Sequence, residues 1–418
     1  MREMKDSGIE WIGEIPKDWE IIKGKYVLEY LQKPVKDDDG VITCFRDGEV
    51  TLRSNRREDG FTLSDKEIGY QGIDVGDLVV HGMDGFAGAI GISDSRGKAS
   101  PVLNVLNSKY NKRYLMYYLR SMAFSNVFVA LASGIRVRSC DLRWNKLAEL
   151  PYPTTSYDEQ TEIVSYLDTK CSEIDATAED IQKEISLLED YKKSVITEAV
   201  TKGLNPDVEM KDSGIEWIGE IPKYWKVDKI KYHLKRNEPK NPGNAIVLSV
   251  YRDYGVIPKD SRDDNHNVTS EDTSKYKYVK KGQLVINKMK AWQGSLAVSD
   301  YDGIVSPAYF IYDFIDEEYN HKYFHYLVRS CYKEEFKRIS GGIREGQWDL
   351  STEGFSNTMV LLPSIEEQNE ILDYILQKEM EIDSLIADKK RQLDILADYK
   401  KSLIYEYVTG KKEVPVNE

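Results

Sequence analysis

The sequence predicts a mixed α+β protein: two α/β domains separated by two long antiparallel coiled-coil helices, built as an internal pseudo-twofold repeat. Three observations predict it. The stretch MKDSGIEWIGEIPK occurs at Met4 to Lys17 and again at Met210 to Lys223, an offset of 206. Gly76, Met83, Gly88, Asp94, Gly97, Ser100 and Pro101 meet Gly282, Met289, Gly294, Asp300, Gly303, Ser306 and Pro307 at the same offset. The block from Asp158 to the YKKS at Tyr191 returns from Glu366 at an offset of 208. Each half therefore reads lead-in, variable domain, long helix. Two copies of this size are too few and too large for a solenoid, which stacks many units of about 20–45 residues. The boundaries that follow are a first variable domain with its lead-in at 1–152, a first long helix at 153–205, a second variable domain with lead-in at 206–362 and a second long helix at 363–418.

Within the first variable domain, short β-like runs bounded by Gly and Asp fall at Val41 to Phe45, Asp77 to Met83, Gly88 to Ser93 and Pro101 to Leu106. They recur at Ile246 to Tyr251, Gln283 to Met289, Ser295 to Ser299 and Pro307 to Tyr312. A helix follows in each half, around Lys112 to Phe124 with Leu115, Tyr118, Leu119 and Met122 on one face, and around His321 to Phe336. The strand order within the sheets is not readable from the pattern.

The first long helix carries apolar or small residues at Ile163, Leu167, Cys171, Ile174, Ala178, Ile181, Ile185, Leu188, Val195 and Ala199. Steps of four and three mark a heptad seam with one polar lapse, Lys192. The second keeps Ile371, Ile375, Ile382, Ile386, Leu393, Leu396, Leu403 and Tyr407, weakened by Glu379, Lys389 and Lys400. Leu376 and Leu385 widen its stripe, which implies more than one packing neighbour. Gly203 with Pro206, and Gly410, end the two helices. At 1.5 Å per residue, helices of roughly 40 to 45 residues span about 60 to 67 Å. Packing both into one bundle requires them to run antiparallel, with a domain at each end of the strut.

The chain has 418 residues, 41% of them hydrophobic, enough for two or more cored domains. No apolar run approaches the roughly 20 residues of a membrane span, and the N-terminus lacks the apolar core of a signal peptide, so a cytoplasmic location with no membrane partner is expected. Cys44, Cys140, Cys171 and Cys331 form no CxxC pair, which argues against a zinc site or a disulfide framework. The net charge of −13 is unevenly placed: segments 1–150, 151–206, 207–360 and 361–418 carry 0, −7, −1 and −5. Nearly all the acidity sits in the helical blocks. Eight Lys or Arg and no acid lie between Ser95 and Cys140, and six Lys and no acid between Ser274 and Ser299. Such stretches are what phosphate contact requires, and also what a solvated face looks like.

No catalytic motif is present. A methyltransferase needs a glycine-rich cofactor loop and a DPPY- or NPPY-like tetrapeptide, and the chain has no Pro-Pro. GISDSRGKA from Gly91 mimics a phosphate-binding loop but is one residue too long and ends in Ala99, so it reads as a turn. His321 and His325 are four apart without a third ligand, and read as a surface pair. No cofactor and no metal site is expected.

What remains are cationic loops at matching positions. CFRDGEVTLRSNRRE places Arg46, Arg53, Arg56 and Arg57 after a β run; VYRDYGVIPKDSRDD places Arg252, Lys259 and Arg262. SGIRVRS and GGIREGQW add Arg136, Arg138 and Arg344 beside glycines, and NKMK supplies Lys288 and Lys290 where the first half has HGMD. Arginine suits guanine edges because its guanidinium bonds O6 and N7 together. Plain surface loops fit the same residues equally well.

The lead-in SGIEWIGEIPKDW, the DEQ and EEQ entries to a long helix and the order variable, helix, variable, helix resemble the specificity subunit of type I restriction-modification systems. The resemblance covers almost the whole chain. It implies a non-catalytic subunit whose two target-recognition domains each read one part of a split double-stranded DNA site. It also implies that the helices space them and dock two methyltransferase subunits, and that restriction subunits carrying motor and nuclease join that core. One departure stands out: the first helix entry, PYPTTSYDEQ, reads as two residues longer than the second. Two other readings are a coiled-coil adaptor that binds no DNA, and the detached recognition part of a single-chain restriction enzyme.

Overall fold

The computed structural model describes residues 2–56, 68–131, 142–243, 245–252, 254–261, 272–342 and 348–415. It forms two compact units, Met1–Gln182 with Lys390–Glu418, and Lys183–Lys389. Each unit thus contains one variable domain and a part of each long helix, which run Tyr157–Lys202 and Ile365–Val408.

In the first unit, a sheet of order Glu29–Tyr30, Leu103–Asn107, Leu78–His81, Ile90–Ile92 is antiparallel throughout. Its alternate residues serve two cores. Leu78, Val80, Ile90 and Leu106 pack with the helix Lys112–Phe124, while Val79, Ala89 and Val105 pack under the hairpin Ile42–Cys44/Val50–Leu52. Burial on both faces explains the unbroken apolar run LVV, since strand side chains alternate sides. The second unit repeats this with Leu234–Arg236, Tyr309–Phe314, Leu284–Asn287 and Leu296–Val298 in that order. There Leu284 and Ile286 face the helix His321–Cys331, and Val285 and Ala297 the hairpin Leu248–Tyr251/Gly255–Pro258. The helix expected to reach Phe336 breaks at Tyr332 and resumes as Lys333–Arg338.

The repeated motifs bond to one another within each unit. Trp19 Nε1 donates to Glu159 at 3.1 Å, and Trp225 Nε1 to Glu367 at 2.9 Å. The buried Gln160 and Gln368 accept the backbone N–H of Asn111 at 2.9 Å and of Asn320 at 2.8 Å. Those asparagines in turn cap the domain helices, accepting from Arg113 and Tyr114 and from Lys322 and Tyr323. The DEQ and EEQ entries are therefore the points where lead-in, domain helix and long helix are tied together. Ser156 and Ser364 cap the long helices by accepting from Glu159 and Glu367. The expected longer first entry is not there: two residues separate Pro151–Thr154 from Tyr157, and two separate Met359–Leu362 from Ile365. The offset changes upstream of both strands.

In the first unit the long helices pair antiparallel, with Tyr166 against Tyr407 (ring centroids 4.6 Å apart) and Asp175 bonded to Lys400 at 2.6 Å. Ile163, Leu167, Ile174 and Ile181 are buried there, while Leu393 and Leu396 are half-buried. In the second unit Glu184 pairs with Lys389, and Lys192 with Asp383 at 2.9 Å and Glu379 at 3.3 Å. Ile185, Ile371, Ile375, Ile382 and Ile386 are buried and Leu188 half-buried. The polar lapses of the heptad pattern, Lys192, Glu379, Lys389 and Lys400, each meet an opposite charge on the facing helix. Leu376 and Leu385, expected to find a further neighbour, are exposed. Gly203 and Gly410 have φ of +73° and +70°, the left-handed conformation that ends a helix.

Candidate nucleic-acid interface

The hairpin Ile42–Cys44/Val50–Leu52 turns through Phe45–Glu49 and runs into a short 3-10 turn, Arg53–Asn55. That geometry brings Arg46, Arg53 and Arg56 together around one groove of about 530 Å³, with Thr43, His81, Asp84 and Ser100 in its wall. Arg46 is exposed and donates to Asp84 at 3.0 Å. Arg53 Nε lies 3.4 Å from Thr43 Oγ1. Arg56 is held within its own loop, stacked 4.3 Å over the Phe45 ring and paired with Asp47 and, at 3.1 Å, Glu49. Arg57, Arg136 and Arg138 lie outside the described residues.

His81 belongs to this groove and is absent from the cationic set read from the sequence. Its Nδ1 accepts the backbone N–H of Met83 at 3.2 Å and of Asp84 at 2.9 Å. The ring proton is thereby placed on Nε2. Burial, reinforced by the Arg46 charge, holds its pKa below the ordinary imidazole value, so the ring is a neutral donor at neutral pH. The only sequence signal was its position in HGMD against NKMK.

In the second unit the hairpin Leu248–Tyr251/Gly255–Pro258 presents Arg252 at its exposed turn and Lys259 at the 3-10 turn after it. Lys288 and Lys290 follow the strand Leu284–Asn287. Lys288 pairs with Asp349 at 2.7 Å; Lys290 is exposed. Beside them Trp292 and Trp348 pack with centroids 5.4 Å apart, where the first unit has Phe86 at the position of Trp292. Arg262 and Arg344 lie outside the described residues.

One arginine supports each hairpin from behind. Arg329, on the helix His321–Cys331, donates to the carbonyl of Leu296 at 3.1 Å and to that of Arg252. Arg120 occupies the same helical place in the first unit and lies directly against Gly48 in the hairpin turn. The histidine pair read as superficial is not. His321 stacks on Phe314 with centroids 3.9 Å apart, and His325 accepts the N–H of Val298 at 3.1 Å, its pKa pushed down to about 3 by burial. The phosphate-loop mimic is two strands joined by a turn, Ile90–Ile92 and Gly97–Ala99, and its Arg96 pairs with Asp39 and Asp74. Cys44, Cys171 and Cys331 are free thiols. No described helix is long and apolar enough to cross a membrane.

Residues 222–394 match the family model described as the type I restriction modification DNA specificity domain. The MjaVIII type I restriction enzyme specificity subunit of Methanocaldococcus jannaschii is 23% identical over 427 residues, 96% of this chain and 94% of that one. The MjaX specificity subunit of the same organism is 27% identical over 234 residues, 52% of each, so the chain spans about half the length of that relative. A solved chain from a type I R-M system, studied for complex assembly and conformational transition, superposes with a TM-score of 0.68 at 12% identity, covering 95% of this chain and 99% of that. The HsdS subunit from Thermoanaerobacter tengcongensis gives 0.54 at 15%, covering 95% and 98%; these two likenesses concern the fold. The family match over 222–394 and the two relatives make this chain similar to the specificity subunits of type I restriction-modification systems, and the two solved structures show that it shares their fold.

Proposed function

We propose that this chain reads an asymmetric bipartite site on double-stranded DNA and docks two methyltransferase subunits, to which restriction subunits are added. The observation that carries the reading is the duplication itself: the bonded frame of Trp19, Glu159 and Gln160 recurs as Trp225, Glu367 and Gln368, while the groups displayed on it differ. The first unit offers Arg46, Arg53 and neutral His81; the second offers Arg252, Lys259 and Lys290 beside a tryptophan pair. Unlike surfaces on like frames select unlike half-sites. The target-recognition parts are 1–152 and 206–362, and the coiled-coil spacers 153–205 and 363–418. Phosphate contacts supply affinity and base-edge contacts supply choice.

The docking half of the reading is supported by apolar side chains that the long helices leave uncovered. Leu187, Tyr191, Leu376, Met380 and Leu385 are exposed on the helix segments of the second unit, and Ile395 and Tyr399 on those of the first. Apolar rows on soluble helices mark protein contacts.

Titrating fluorescent duplex DNA with the chain bound to its methyltransferase, at several salt concentrations, tests the DNA half. Cognate binding should weaken steeply with salt, and Arg46→Ala and Lys290→Ala should each flatten the slope by about one unit if the residue meets a phosphate. Salt-independent or absent binding would leave the adaptor reading standing.

A further inference from the structure

Among the described residues, the second unit holds a cluster that the first does not. His233 follows the 3-10 turn Ile230–Tyr232, its side chain only 2% exposed. Its Nδ1 lies 2.9 Å from Asp316 Oδ2 and 3.6 Å from Glu318 Oε2, and its Nε2 lies 3.6 Å from Asp228 Oδ2. Nε2 is buried without a hydrogen bond. The ring nitrogens thus face carboxylates on both sides. Three carboxylates around one enclosed imidazole leave an excess of negative charge even when the ring is protonated, and like charges so gathered favour uptake of a cation.

The distances suit a first-row divalent cation held by nitrogen and oxygen. Zinc bound tetrahedrally at about 2.0–2.2 Å by nitrogen and oxygen sets its ligand atoms roughly 3.3 Å apart. The donor atoms of His233, Asp316 and Glu318 all lie within 4.8 Å of one another, the one such group among the described residues. Asp228 stands on the far side of the ring, its Oδ2 3.6 Å from the unbonded Nε2; a small approach would let it take that N–H, the contact by which a carboxylate orients a metal-binding histidine. The edge of the ring rests against Tyr319, centroids 4.9 Å apart, which fixes its plane.

The first unit is an internal control. KGKYVL stands where the second has KIKYHL, so Val27 replaces His233. Between the last sheet strand and the helix cap, the first unit has Ser108, Lys109 and Tyr110, whereas the second has five residues, Ile315 to Tyr319, and carries Asp316, Glu317 and Glu318 where the first has no acid. The histidine and the acidic loop occur together in one half and are both missing from the other.

We propose that His233, Asp316 and Glu318 bind one divalent transition-metal cation of the zinc type, with Asp228 orienting the imidazole and water completing the shell. The cation joins the turn at His233 to the loop that leads into the helix His321–Cys331, and so braces the second unit.

The test is calorimetric titration of the full chain, stripped with chelator, with zinc alone, followed by thermal melts with and without the metal. One equivalent should bind, and the melting temperature should rise. His233→Ala should weaken binding at least tenfold and abolish the rise. Because that buried substitution risks misfolding, Glu318→Gln, at a half-exposed side chain, provides a second arm and should also weaken zinc at least tenfold while the metal-free chain melts as wild type. Asp228→Asn should weaken it by about tenfold. Absence of stoichiometric binding, or binding unchanged in Glu318→Gln and His233→Ala, would overturn the site.

Discussion

The guanidinium of Arg329 donates to the backbone carbonyl of Arg252, so a residue of the domain helix holds the turn that displays the second unit's foremost arginine. A second bond, to Leu296 at 3.1 Å, fixes the guanidinium against the sheet edge. Hydrogen bonds from a charged donor contribute about 1.5–3 kcal/mol each. Arg329→Met keeps the packing of the stem and removes both bonds. Hydrogen exchange should then accelerate across Leu248–Pro258 while the long helices keep their protection, and DNA preference should relax at one half-site only.

In the first unit the same support depends on a glycine. A Cβ built on Gly48 would stand 1.4 Å from Arg120 Nη1, and Gly48 has φ of +95°. Gly48→Ala therefore combines a strained backbone with displacement of a largely buried guanidinium. We expect a loss of about 1–3 kcal/mol in urea unfolding of that unit. A melt indistinguishable from wild type would show that Arg120 swings away freely.

These two positions also show where sequence reading reached its limit. The duplication, the strands and the helix Lys112–Phe124 were legible because their signals are local: identical words, alternation and 3.6-residue periodicity. The role of Trp19 and Trp225 was not, because each meets its Glu partner about 140 residues away in sequence. The same holds for Arg329 with Arg252, and for His233 with Asp316. The polar lapses of the helix seam looked like weaknesses because the heptad pattern shows one helix at a time; the facing charge at Asp175, Glu184 or Asp383 becomes visible only when the antiparallel register is known. Arg56 is a cationic-loop candidate in the sequence, and its own loop turns Asp47 and Glu49 back onto it.

His325 sets a pH dependence. Its folded pKa is pushed down to about 3 by burial, below the ordinary 6.5 of an unfolded chain. A depressed value contributes stability that is fully present above pH 6.5 and is lost as pH falls toward 3, because the unfolded chain takes up a proton the folded one refuses. Between pH 7 and pH 5 the loss is about 2 kcal/mol, at 1.36 kcal/mol per pH unit. Urea melts of wild type and His325→Gln should therefore converge by about that amount on going from pH 7 to pH 5. Parallel losses in the two proteins would remove His325 as the cause.

The division of the long helices predicts the behaviour of half a chain. Leu403, Ile404, Tyr407 and Val408 belong to the core of the first unit, and Tyr114 Oη donates to the Val408 carbonyl at 2.8 Å. Ala199 and Val200 fill the corresponding place in the second, where Tyr323 Oη donates to the Val200 carbonyl at 3.2 Å. A fragment of residues 1–209 lacks the former but carries the latter. Two copies should exchange helix ends and form a closed dimer, Tyr114 of one bonding Val200 of the other. Analytical ultracentrifugation should give twice the fragment mass; a folded monomer would contradict the exchange.

On the proposed function, two unlike surfaces on a duplicated frame each read one block of a split DNA site. This is tested most directly by mapping methylated adenines in genomic DNA from cells carrying this chain with its partner methyltransferase. The wild-type chain should mark an asymmetric bipartite motif of constant spacing. Arg46→Ala with Arg53→Ala should relax one block, and Arg252→Ala with Lys290→Ala the other, each leaving its counterpart intact. A single contiguous motif, or equal relaxation of both blocks by either pair, would contradict the account.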